Sequence, residues 1–146
     1  MATSLTPRAL WALIPLVAHS MVGCAKMSSQ ASTLIEYHRS GGITGREEQL
    51  VVLTDGTARL SRRGAVAWDY QVGADTLTEL RALLERIDFR QIRDEYLPPR
   101  RGADLFEYVV IYQDRRIRTM DTAVPPELQP LIQLLSGLAN RAPRAP

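Results

Sequence analysis

The chain has 146 residues and almost no thiol or imidazole: one cysteine, Cys24, and two histidines, His19 and His38. One cysteine excludes an internal disulfide framework and any thiolate metal cluster. Serine and cysteine triads and the usual zinc sites need imidazole, so two histidines leave little room for either. Lysine is equally scarce, with Lys26 the single example among 18 basic residues that face 16 acidic ones. So small an excess gives no electrostatic footprint for nucleic acid. No P-loop, HExxH, CxxC, GxSxG or EF-hand pattern occurs, and no cofactor is expected.

Long apolar runs are missing too. The longest apolar stretch near the start is Ala9 to Ala18, preceded by the single charge of Arg8. A helix that crosses a bilayer needs about 20 apolar residues; a short apolar run behind a basic residue is instead the order of a secretory signal peptide. That stretch leads into Met21-Val22-Gly23-Cys24, which resembles the lipobox of bacterial lipoproteins with Met21 in place of the usual leucine. The expectation is a signal peptide over 1–23, acylation of the Cys24 thiol, a flexible polar tether over 24–32 and an extracytoplasmic, membrane-anchored location in the cell envelope. Ordinary secretory cleavage after Ala25, with Gly23 and Ala25 as the small residues, is the alternative. His19 leaves with the leader in either case, so His38 is expected as a strand-face histidine and not as a catalytic base.

What remains is one domain by size. Thr33 to Arg39 is rich in strand formers and runs into Ser40-Gly41-Gly42-Ile43-Thr44-Gly45, whose three glycines allow a tight reversal. Gln49 to Thr54 is apolar, Asp55-Gly56 is a strong hairpin signal, and Ala58 to Arg62 returns. Val66, Trp68, Tyr70 and Val72 then alternate with small or polar residues, the period of a half-buried strand. Thr76-Leu77-Thr78-Glu79 reads as a capping box, opening a helix over 76–87 with its stripe on Leu77, Leu80, Leu84 and Ile87. Pro98 and Pro99 interrupt the long segment 89–104, pinned to the core by Phe89, Ile92 and Leu97. Phe106 to Tyr112 and Arg116 to Met120 form a second hairpin, and a helix begins near Pro130 and carries Leu131, Ile132, Leu135 and Leu138. Residues 140–146 are expected to be a disordered tail. The order ββββαββα defines an α+β domain over 33–139, an antiparallel sheet of about six strands with two helices packed on it.

The arginine pairs 62-63, 100-101 and 115-116 fall in predicted turns. They read as solvated tips, or as a rim that meets an acidic partner surface through bidentate carboxylate contacts. Glu47-Glu48, Asp94-Glu95 and Asp104 are the carboxylate clusters; acid–base catalysis on a sugar would require them to face each other across a cleft.

From Thr33 to Leu138 the pattern resembles the emfourin family, small proteinaceous inhibitors of thermolysin-like zinc metallopeptidases. The resemblance lies in the strand that runs into Ser40-Gly41-Gly42-Ile43-Thr44-Gly45, the leucine helix that ends near Asp88-Phe89, the Gly102-Ala103-Asp104-Leu105-Phe106-Glu107-Tyr108 segment that opens a strand, and the closing Val124-Pro125-Pro126-Glu127-Leu128-Gln129-Pro130-Leu131. Family members commonly have an aromatic where this chain has Ile43, and they lack the leader. The resemblance implies a non-catalytic domain that blocks a secreted metallopeptidase with loops, the zinc belonging to the target; a monomer is expected. The implied contact residues are Gly41, Gly42, Ile43, Thr44, Gly45, Tyr96, Arg100 and Arg101. The other reading is an accessory envelope lipoprotein that docks through an edge strand or the terminal helix.

Overall fold

The computed structural model describes residues 31–64, 68–100, 102 and 104–141. The leader, Cys24 and most of the proposed tether lie outside the described residues. Seven strands and two helices follow in the order β1 (Thr33–Gly41), β2 (Arg46–Leu53), β3 (Thr57–Arg62), β4 (Trp68–Gln71), α1 (Ala74–Arg86), β5 (Glu95–Tyr96), β6 (Phe106–Tyr112), β7 (Arg115–Met120) and α2 (Gln129–Arg141). They form one sheet in the spatial order β4-β3-β2-β1-β6-β7-β5. The α+β class stands, and all strand pairs are antiparallel except β5 with β7.

Alternation sets the faces. In β1 the buried residues are Ile35, Tyr37 and Arg39, and in β2 they are Glu48, Leu50 and Val52. Their apolar members join Leu80, Leu83 and Leu84 of α1 and Leu131, Ile132, Leu135 and Leu138 of α2 in one buried cluster. Both helices therefore cover the same face, and the opposite face carries paired polar groups. Arg118 there bridges Glu107 and Glu95 at 2.7 and 3.0 Å, and His38 meets Glu36.

Four expectations are corrected. The two-residue β5 makes the sheet seven-stranded and mixed; it is too short to show a period, and it is held because the Arg118 amide donates to the Asp94 carbonyl at 2.8 Å. Helix α1 starts at Ala74, two residues before the predicted cap. Its N-cap is Gly73, which offers no side chain, and the Thr78 hydroxyl donates back to the Ala74 carbonyl. The sheet sets that start: the Val72 amide is tied to the Gly56 carbonyl at 2.9 Å, so the chain is free to coil immediately after. Asn140 and Arg141 extend α2 rather than begin a tail. Ser32 belongs to the fold and not to the tether, since its carbonyl accepts from the Thr54 amide at 2.8 Å.

Candidate functional site

Register places three irregular segments at one end of the sheet. Gly41 ends β1 opposite Arg46 on one side and Phe106 on the other, so the 42–45 turn lies beside the 102–105 segment. Arg62 ends β3 opposite Glu48, which puts the Arg63-Gly64 turn on the other flank. The C-terminal end of α2 closes the same end, because Arg39 donates to the Asn140 side chain at 2.8 Å and Arg62 to the Ala139 carbonyl at 3.0 Å.

The 42–45 turn is fixed by its neighbours. Its first glycines are required by close approach as well as by φ. At Gly41 (φ +107°) a Cβ would lie 2.5 Å from the Leu105 carbonyl oxygen, and at Gly42 (φ +69°) one would lie 2.7 Å from the Phe106 ring. The Gly42 amide donates to the Leu105 carbonyl at 3.2 Å and the Gly45 amide to the Gly42 carbonyl at 2.9 Å. From the other flank the Arg63 guanidinium donates to the Thr44 carbonyl at 2.8 Å, with its own amide on the Glu47 carbonyl. Asp121 anchors the Phe106 side: its carboxylate accepts from the Phe106 amide at 2.8 Å and from the Tyr108 hydroxyl. Burial, then Asp121, push the Tyr108 phenol well above its ordinary range.

Beneath the turn sits a charged layer on the apolar face. Arg39 is directly opposite Glu48, and Glu48 directly opposite Arg62. Arg39 is 6% exposed and Glu48 is 4% exposed. Glu48 accepts from Arg39 Nε at 2.9 Å and from Arg62 Nε at 3.0 Å. Arg39 also lies over the Phe106 ring at 5.6 Å, and Arg62 over Trp68 at 5.5 Å. Removal of one member would strand a buried charge, the costly way to break such a group.

The result is a rigid platform with one apolar tip. Ile43 is 91% exposed, the single large apolar side chain of that kind among the described residues. Gly41 and Gly42 are half-buried supports, and Thr44 and Gly45 are exposed beside the tip. Arg100 is exposed in the loop beyond β5, while Arg101 lies outside the described residues.

Tyr96 does not join the tip. It is half-buried in β5, three strands from β1, with its hydroxyl accepting from the Arg93 amide and the Arg93 guanidinium 4.6 Å over its ring. Arg115 and Arg116 are strand residues rather than tips, and Arg115 is spent on the Ile92 carbonyl and Asp94. The carboxylate pairs do not face one another. Glu47 is exposed while Glu48 is buried, and Asp94 and Glu95 are paired with Arg115 and Arg118. Among the described residues no cluster of acidic, histidine or cysteine side chains could hold a metal ion.

In the sequence Arg62-Arg63 reads only as a turn tip or partner-facing rim and Phe106 only as a strand residue; the hold of Phe106, Asp121 and Arg63 on the turn, and the Arg39–Glu48–Arg62 layer, escaped sequence reasoning. A signal for the last was present: Arg39 continues the Ile35, Tyr37 alternation and Glu48 precedes Leu50 and Val52 on theirs, so opposite charges stood at the same end of two core-facing rows. No protein-family model matches the chain, and no curated protein is significantly similar to it.

Proposed function

We propose that this chain is an exported, lipid-anchored, non-catalytic binding domain that inserts the Ile43 turn into the cleft of a partner. Following the emfourin resemblance, that partner is a thermolysin-like zinc metallopeptidase. The observation that carries the reading is the presentation of Ile43. A lone exposed isoleucine is unremarkable on a surface, but here it crowns a turn clamped from both flanks. Preorganisation of that kind lowers the ordering cost of binding. A loop inhibitor needs shape and rigidity, and no chemistry of its own.

The test is titration of residues 24–146, made soluble by Cys24→Ser, against a thermolysin-type peptidase. Inhibition is expected, and Ile43→Asp should weaken it by at least about thirtyfold, the loss of one hot-spot side chain, with an unchanged melting temperature. Absence of inhibition at micromolar concentration would leave the accessory-lipoprotein reading. That reading draws support from β4, a four-residue strand at the open edge of the sheet. It draws none from α2, whose apolar side is already buried in the core.

A further inference from the structure

We infer that the cavity behind the Ile43 turn binds a carboxylate side chain of the partner, so that the rim recognises an acidic residue next to the pocket that receives Ile43. The inference rests on the rim being the partner-facing surface. The cavity has a volume of about 350 Å³ and lies between the 42–45 turn, the turn after β3 and the C-terminal end of α2.

Its charge is unbalanced. Arg46, Arg62 and Arg63 line it with Glu47 and Glu48, and Arg39 reaches Glu48 from below. Four guanidinium groups thus surround two carboxylates. Glu48 is engaged by Arg39 and Arg62, and Arg46 stays 3.9 Å from it with 42% of its side chain exposed. Arg63 spends its hydrogen bonds on the Thr44 and Gly45 carbonyls. Carbonyls orient a guanidinium but leave its charge uncompensated, and five N–H donors cannot all be used by two such contacts. Arg46 and Arg63 therefore present donor forks at the mouth of the cavity, and arginine forks match carboxylates in pairs of parallel hydrogen bonds. At the α2 end the Leu138 and Ala139 carbonyls accept from Tyr70 and Arg62, and the Asn140 side chain, which lines the cavity, accepts from Arg39. Glu47 and Glu48 at the wall disfavour a dianion, so a singly charged carboxylate fits better than a phosphate.

The experiment follows the arginine side-chain N–H resonances of residues 24–146 (Cys24→Ser) during titration with blocked tetra-aspartate peptide. Blocked tetra-asparagine and inorganic phosphate serve as comparison probes. Saturable shifts at Arg46 and Arg63 are expected with the aspartate peptide alone. They should weaken about two- to fivefold with Arg46→Gln, the range of a partly exposed ion pair, vanish with Arg46→Glu, persist with Arg90→Glu, and shrink as salt is raised. Silence of both arginines, or shifts that survive Arg46→Glu in a variant whose amide spectrum stays dispersed, overturns the site. Equal response to phosphate overturns its assignment to a carboxylate. No peptidase enters this measurement. A chain that fails to inhibit but whose arginines respond refutes the peptidase reading alone, and the converse refutes this site alone.

Discussion

Thr119 is fully buried in β7, and its hydroxyl has no hydrogen-bond partner among the described residues. An unsatisfied buried hydroxyl carries its desolvation cost with no return, whereas an apolar group of the same shape does not. Thr119→Val should therefore raise the unfolding free energy by roughly 1 kcal/mol, read as a higher urea midpoint at constant m-value. Tyr37 is the contrasting case. Its ring is in the core, its hydroxyl lies 2.7 Å from that of Ser136, and burial pushes its phenol from 10.0 up to about 12. A folded pKa above the unfolded one means a contribution that is complete below the unfolded value and lost as the pH climbs to the folded one. Stability should decline from about pH 10 to about pH 12. Tyr37→Phe should lose about 1 kcal/mol at neutral pH with its hydrogen bond and show a shallower alkaline decline, both measurable by urea melts at stepped pH.

The β1–β2 hairpin shows how one element converts glycine into rigidity. Gly42 and Gly45 both have positive φ, but a Cβ at 42 meets the Phe106 ring and one at 45 meets nothing within 4 Å. Gly45→Ala should cost only the left-handed penalty, about 1–2 kcal/mol. Gly42→Ala should cost more, because Phe106 must move. That displacement would shift the Leu105 carbonyl that holds the turn, so under the inhibitor proposal Gly42→Ala should also raise the inhibition constant more than Gly45→Ala does. Thermal melts and inhibition titrations of the two variants give the comparison. This hairpin was legible in the sequence because its signals are local: alternation in the strands and glycine clustered between them. Helix α2 was legible for the same reason, through Leu131, Ile132, Leu135 and Leu138. The clamp from Arg63 was not, because it depends on a contact 19 residues away in sequence and on which hairpin lies alongside. Strand β5 is two residues held by β7, a tertiary event with no period of its own. The capping box misled because Thr76 has the right chemistry at the wrong place, two residues inside a helix whose start is dictated by Val72 on the sheet.

Taken as one body, the domain has the start of its first described strand and its rim at opposite ends. β1 begins at Thr33, opposite Leu53, and ends eight residues later at Gly41 beside the turn. At about 3.3 Å per residue it separates the two ends by roughly 26 Å. Under the lipid-anchor proposal, the nine residue steps from Cys24 to Thr33 reach at most about 30–32 Å when fully extended, and about 15–18 Å as a flexible coil. The start of β1 must stay within that distance of the bilayer. Standing on its rim would lift the start of β1 to a height that only a nearly fully stretched tether spans, well beyond the coil's mean reach, so that posture is disfavoured. Ile43 is held toward the aqueous side, which suits a soluble partner and disfavours one embedded in the same membrane. Two cysteine variants of the acylated protein test this in vesicles containing headgroup-nitroxide lipids. A fluorophore at Asp114→Cys, in the β6–β7 turn at the tether end, should be quenched strongly, and one at Thr44→Cys on the rim weakly. Vesicle flotation of the unlabelled protein reports separately on the anchor. Flotation with equal quenching at both positions would mean that the domain lies along the membrane, and the length of β1 would then set no limit on what Ile43 can reach.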